Sequence, residues 1–173
     1  MQNWNTALWR QAKRALRFLK DTADLGLVFR RVGDNGAMQL QAYCDASHAD
    51  DPERHRSTLG WVVLLNDTPI MWGSKLTSHT PLSTAETELC ALTECTKSVL
   101  WARGFLEDIG FPQKTPTTIW EDNVAAQQLA NSGRISNRTK HIASRTHFVH
   151  HHVTNGDIEV KRVTLGQHCG ASG

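Results

Sequence analysis

The sequence predicts an α/β chain with a mixed five-stranded sheet. The sheet opens as a three-stranded antiparallel meander, continues as alternating helix and strand, and carries helices on its flanks. Three observations predict it. Residues 38–45 alternate, with Met38, Leu40, Ala42 and Cys44 on one side and Gln39, Gln41, Tyr43 and Asp45 on the other. "TLGWVVLLN" and "PIMWGSK" follow as two further β-type runs with polar connections. "STAETELCALTECTKSVLWARGFLEDIG" then places Leu89, Leu92, Val99, Leu106 and Ile109 at helical spacing and closes on Gly110 and Pro112.

Taken in order, the first twenty residues contain no acid and carry Arg10, Lys13, Arg14, Arg17 and Lys20. Leu8, Ala12, Ala15, Leu16 and Leu19 form one apolar stripe, which predicts a packing helix. The composition is also that of a mitochondrial presequence, but it runs into "DTADLGLVFRR" with no cleavage-like break. "GLVF" (26–29) reads as a short strand and "GDNG" (33–36) as a hairpin-type turn. After the meander and the long helix, "TTIWED" is a strand, "NVAAQQLAN" a short helix and "GRISNRTK" a basic loop. A helix over about 141–153 and a last strand, "GDIEVKRV", complete the chain.

A length of 173 residues allows one domain with a real core, or a domain plus an appendage. The composition, 39% hydrophobic and 21% charged, is that of an ordinary globular protein, and no run approaches membrane-spanning length. A net charge of +2 permits an anionic partner without demanding one. Cys44, Cys90, Cys95 and Cys169 show no C-x-x-C spacing, which predicts small buried thiols in a reducing, intracellular setting and not a secreted disulfide framework.

Four acids close or open elements. Asp45 ends the first meander strand, Asp122 ends "TTIWED", and Glu86 and Glu88 open the long helix. If the two strands are neighbours, their aspartates converge at one sheet edge, where a helix start can approach them. Clustered carboxylates repel, and burying them unpaired is costly. Hard cations such as Mg²⁺ or Mn²⁺ relieve both problems, and two ions about 3.5–4 Å apart serve phosphoryl transfer. Ser83-Thr84-Ala85-Glu86 has capping-box spacing, so Glu86 is assigned to the helix end and Glu88 to the site. Glu121 is expected to point away from Asp122 into solvent. Asp50 and Asp51, beside Pro52, read as turn residues.

Five stretches, in this order, resemble the ribonuclease H domain of copia-type LTR retrotransposon Pol polyproteins: "AKRALRFLKDTADLGL", "YCDASHADDPERHRSTLGWVVLL", "LSTAETELCALTECTKSVLWARGFLEDIGF", "IWEDNVAAQQLAN" and "SNRTKHIASRTHFVHHHVTNGDIEV". The resemblance implies a ribonuclease-H-like fold. It also implies hydrolysis of the RNA strand of RNA–DNA hybrids with two Mg²⁺ (or Mn²⁺) ions held by Asp45, Glu88 and Asp122. It divides the chain into a connecting basic helix and short strand from the reverse transcriptase side (1–30), a ribonuclease-H-like domain (31–163) and an atypical tail (164–173). The implied partners are the hybrid and an upstream reverse transcriptase domain. The implied place is cytoplasmic, in a virus-like particle, or nuclear. The family usually adds a fourth aspartate shortly after the last strand. Here no Asp or Glu follows Glu159, and the family's aspartate after "KHI" is Ala143. Truncation, a degenerate copy or a frame change would each produce this ending, and one ion should be held more weakly. The same departure keeps open a crippled module that binds hybrid or another Pol segment without cutting. A different nuclease or integrase-like enzyme on the same fold is the other rival.

The basic loop gathers Arg134, Arg138, Lys140 and His141, and Arg54 and Arg56 sit in another. Surface charge is the plain reading of both; beside a nuclease site they are candidates for phosphate contact. His147 and His151 are spaced i, i+4, a spacing that suits Zn²⁺, but no third ligand sits at fixed spacing, so a solvated face is expected. Trp61, Trp72 and Trp101 are expected in the core. Trp120, on the Asp122 side of its strand, is expected to pack.

Overall fold

The computed structural model describes residues 6–29, 38–51, 55–135 and 140–163. Helix α1 spans Thr6–Asp21, strand β1 Leu40–Ser47, β2 Thr58–Leu65, β3 Thr68–Leu76, helix α2 Thr84–Asp108, β4 Thr117–Glu121, α3 Val124–Ser132, α4 Ala143–Thr154 and β5 Ile158–Arg162. The five strands form one mixed sheet in the order β3-β2-β1-β4-β5. The β1–β2 and β2–β3 pairs are antiparallel, and the β1–β4 and β4–β5 pairs are parallel. This is the meander followed by α/β alternation that the hydrophobic pattern predicts.

Local chemistry fixes the meander. Asn66 and Asp67 join β2 to β3 with φ of 49° and 65°, the two left-handed residues that a two-residue hairpin needs to match strand twist. Strand β1 buries Leu40, Ala42 and Cys44 and leaves Gln41, Tyr43 and Asp45 on its other face. Against the buried face lies α2, whose Leu89, Leu92 and Val99 are fully enclosed with Ile119 of β4 and Val149 of α4. Cys44, Cys90 and Cys95 are buried free thiols.

The start of the chain departs from expectation. Helix α1 buries none of its residues, although Lys13 Nζ lies 5.4 Å above the Trp9 ring. Residues 26–29 are not a strand; Thr68 Oγ1 donates to the Val28 carbonyl (2.8 Å), and Leu27, Val28 and Phe29 stay exposed. β-type residues make a strand only when an edge pairs with them. The turn expected at 33–36 and the tail 164–173 lie outside the described residues. Two of the tryptophans expected in the core are outside it. Trp72 is 67% exposed, and Trp101 is 61% exposed and stacked on Phe105. Trp61 does pack, and its indole N–H donates to Ser98 Oγ (2.9 Å). An apolar run alternates faces, so not every aromatic in it turns inward. Ile109, the last residue of the helical stripe, is half exposed because it caps α2.

Candidate metal centre

The parallel pairing of β1 with β4 matches Tyr43 to Trp120. Continued two residues along, that register sets Asp45 beside Asp122; β4 ends at Glu121, whereas β1 does not stop at Asp45 as expected but runs on to Ser47, paired with Thr58. Helix α2 starts over the same end of the sheet. Its N-cap Ser83 accepts the Glu86 backbone N–H (3.2 Å), and the Glu86 carboxylate accepts from Leu82 N–H (2.7 Å) and contacts His79 Nε2 (3.2 Å). Glu86 is thereby occupied at the helix end. One carboxylate oxygen from each of Asp45, Glu88 and Asp122 comes within 4.8 Å of the others.

The three acids differ in environment. Asp45 and Asp122 are exposed, and Asp45 Oδ1 accepts the Ala46 N–H (2.8 Å). Glu88 is only 4% exposed, and its Oε2 has no hydrogen-bond partner among the described residues. Burial pushes the Glu88 carboxyl up to about 8. The charges of Glu121, Asp122 and Asp45 push the same way, and the Ala46 N–H opposes them.

A hard divalent cation fits this arrangement. Three carboxylate oxygens within 4.8 Å of one another are the kind of donor set that a hard divalent cation takes. The donor set is all carboxylate, from one buried residue with an oxygen lacking a partner among the described residues and two exposed residues. Asp45, Glu88 and Asp122 are the residues that would hold such an ion.

Glu121 contradicts its expectation: it is completely buried, not solvated. Thr117, Ile119 and Glu121 alternate inward along β4, so the core face extends to the strand's last residue. Burial pushes its carboxyl up to about 7, against the opposing Asn123 N–H and Cys44 thiol. Cys44 is raised in turn, first by its bond with Cys95 and then by burial. His48 was also absent from the expected residues. Its Nδ1 lies 2.8 Å from Thr87 Oγ1, tying the loop after β1 to the residue before Glu88. Thr87 Oγ1 itself donates to Ser83 O (3.2 Å), which leaves it to accept from the imidazole.

The expected nucleic-acid residues are only partly placed. Arg134 is exposed just past Gly133, the left-handed C-cap of α3, and Lys140 is exposed at the start of a 3-10 turn, 140–142. Arg56 is half-buried and its carbonyl accepts the Asp51 N–H (3.1 Å). Arg138, Arg54 and the side chain of His141 lie outside the described residues. On α4, His150 Nδ1 meets the Ala130 carbonyl (3.0 Å) and His152 Nδ1 meets Asp157 Oδ2 (2.7 Å). His147 is exposed. Trp120 packs at 6.3 Å on Tyr43, beside the site and not within it. A concavity lies at the other end of β1, between Leu40, Phe111, Gln113, Thr118 and Glu159. Among the described residues no helix is long and apolar enough to cross a membrane.

No protein-family model matches the chain. It is 32% identical over 156 residues to the Pol polyprotein of transposon RE2 from Arabidopsis thaliana, covering 90% of this chain and 10% of that one. The chain spans about a tenth of the length of the first relatives it matches. Among solved structures, it superposes on the N-terminal RNase H domain of a Mycobacterium tuberculosis protein with a TM-score of 0.53 at 13% identity, over 76% of this chain and 86% of that one. With LC11-RNase H1, solved in complex with an RNA/DNA hybrid, the TM-score is 0.54 at 9% identity, over 73% and 86%. The chain is homologous to copia-type retrotransposon Pol polyproteins, and its fold is that of a ribonuclease H domain.

Proposed function

We propose that this chain is a retrotransposon ribonuclease H domain that hydrolyses the RNA strand of RNA–DNA hybrids, using two Mg²⁺ or Mn²⁺ ions. The observation that carries the reading is the buried Glu88: its Oε2 has no partner among the described residues, and one of its carboxylate oxygens lies within 4.8 Å of oxygens of Asp45 and Asp122. A structural carboxylate ends in protein donors; this one ends where a cation would sit. Asp45, Glu88 and Asp122 would hold the ions in this reading. Bound ions supply an activated water and offset charge on the leaving oxygen. Water adds to the phosphorus and the P–O3′ bond breaks, leaving 3′-hydroxyl and 5′-phosphate ends.

The rest of the chain serves position. Glu86 keeps the start of α2 fixed, so Glu88 stays aimed at the strand ends. His48 and Thr87 hold the loop after Asp45 against the same helix. Arg134, Arg138, Lys140, His141 and Arg56 are the proposed phosphate contacts, and the hybrid held by LC11-RNase H1 supports that class of partner. The domain proper is 31–163, joined through 1–30 to an upstream reverse transcriptase and followed by the tail 164–173. Its proposed place is the cytoplasm, in a virus-like particle, or the nucleus.

The test is a hybrid with labelled RNA, incubated with Mg²⁺ or Mn²⁺, with chelator, and with an Asp45→Asn chain. Metal-dependent cleavage that is lost in the variant supports the enzyme. Tight binding without cleavage instead supports a non-cutting module, the outcome that the absent fourth aspartate makes worth measuring.

A further inference from the structure

We propose that Glu121 is a positioning residue that holds both aspartate-bearing strands in place for cation binding. This rests on the reading that Asp45, Glu88 and Asp122 hold a divalent ion. The Glu121 side chain lies wholly inside the protein, and each oxygen has a partner beside a site aspartate. Oε2 accepts from the thiol of Cys44 (3.2 Å), the residue before Asp45. Oε1 accepts the backbone N–H of Asn123 (3.0 Å), the residue after Asp122. Asn123 is itself fixed, because its side chain caps α3 by accepting the N–H groups of Ala125 (2.9 Å) and Ala126 (3.1 Å).

One carboxylate therefore ties β1 at Cys44 to the turn after β4. The turn it closes at 121–123 directs Asp122 outward while Glu121 points inward. An aliphatic side chain would fill the same space more cheaply, since a buried carboxylate is costly even when paired. Two donors chosen from the neighbours of the two aspartates are what a support for ligand geometry requires.

The experiment is calorimetric titration with Mn²⁺ at fixed pH, with melting curves of the metal-free proteins, on wild type, Asp45→Asn, Glu121→Leu and Glu121→Gln. Wild type should bind and Asp45→Asn should not. Glu121→Leu should bind about 10–100-fold more weakly, the usual effect of losing such a support, while its metal-free melting temperature holds or rises. Glu121→Gln keeps the Asn123 bond and should recover most of the affinity. Wild-type affinity in Glu121→Leu overturns this inference and leaves the metal reading standing; absence of binding in wild type overturns both. Should Glu121→Leu not fold, Cys44→Ala and Cys44→Ser decide. Loss with alanine and recovery with serine support the tie, and equal affinity in both overturns it.

Discussion

The two ends of α2 treat their charged residues in opposite ways. Near its C-terminus, the guanidinium of Arg103 is completed by the protein, donating to Thr115 O, Thr117 Oγ1 and Gln113 O, each at 2.9 Å. Near its N-terminus, Glu88 is more deeply buried, sits among like charges and leaves Oε2 without a partner among the described residues. Both lie on one helix over one sheet, so packing does not separate them. What separates them is whether the chain supplies the counter-group. Arg103 is a fastening between helix and loop. In the proposed reading, Glu88 is half of an interaction whose other half is a cation.

The sharpest way to break this contrast is by activity. Asp45→Asn and Glu88→Gln should each lower hybrid cleavage by at least about 100-fold, beyond the loss typical of outer supports, whereas Arg103→Ala should leave the rate per folded molecule unchanged. Single-turnover assays on folded material check this, and equal losses at both ends would erase the distinction.

Stability gives the next test. Leu89→Ala removes a fully buried side chain one residue from Glu88 and should cost about 2–5 kcal/mol in denaturant unfolding. Glu88→Gln, in the metal-free chain at pH 8, should instead raise stability by relieving the cluster.

The pH dependence carries a definite sign. Glu88 and Glu121 have folded pKa values of about 8 and about 7, raised above the usual carboxyl value. Between about pH 4.5 and 8 the folded chain therefore holds protons that the unfolded chain has released, so stability falls as pH rises. Glu94 and Glu159 are lowered by their lysine partners, and their stabilising contribution is already complete above that range's lower limit. Metal-free melting temperature should drop from pH 5 to pH 9. Added Mn²⁺ should reverse most of the drop, and Glu88→Gln should flatten it. A metal-free melting temperature that rises over that interval would refute the assignment.

The smallest effects belong to the completed end and the cap. Arg103→Ala leaves three acceptors to find water and should cost about 1–3 kcal/mol. Ser83→Ala, which removes the cap of α2, should cost about 1 kcal/mol. Thermal melts measure both.

The legible parts of the sequence were those with strong periodicity. Alternation over 38–45 and the leucine spacing of 89–106 specify β1 and α2, because each pattern has one burial solution. The capping box separated Glu86 from Glu88, since a helix start demands its own acceptor. Glu121 does alternate away from Asp122, but that side of β4 is the core and not solvent; counting by two from Ile119 puts it inside. The 26–29 segment and the exposed Trp72 and Trp101 show the limit of composition. Apolar residues indicate what can be buried, while sheet edges and helix faces decide what is. His48 left no periodic signal, because its partner Thr87 is 39 residues away.

Growing crystals in Mn²⁺ and locating the ions by anomalous scattering tests the central claim most directly. The account predicts anomalous density among Asp45, Asp122 and Glu88, with Glu88 Oε2 coordinated to manganese. A manganese-saturated crystal with no density there, and with Glu88 Oε2 taken up by a protein donor, would contradict it.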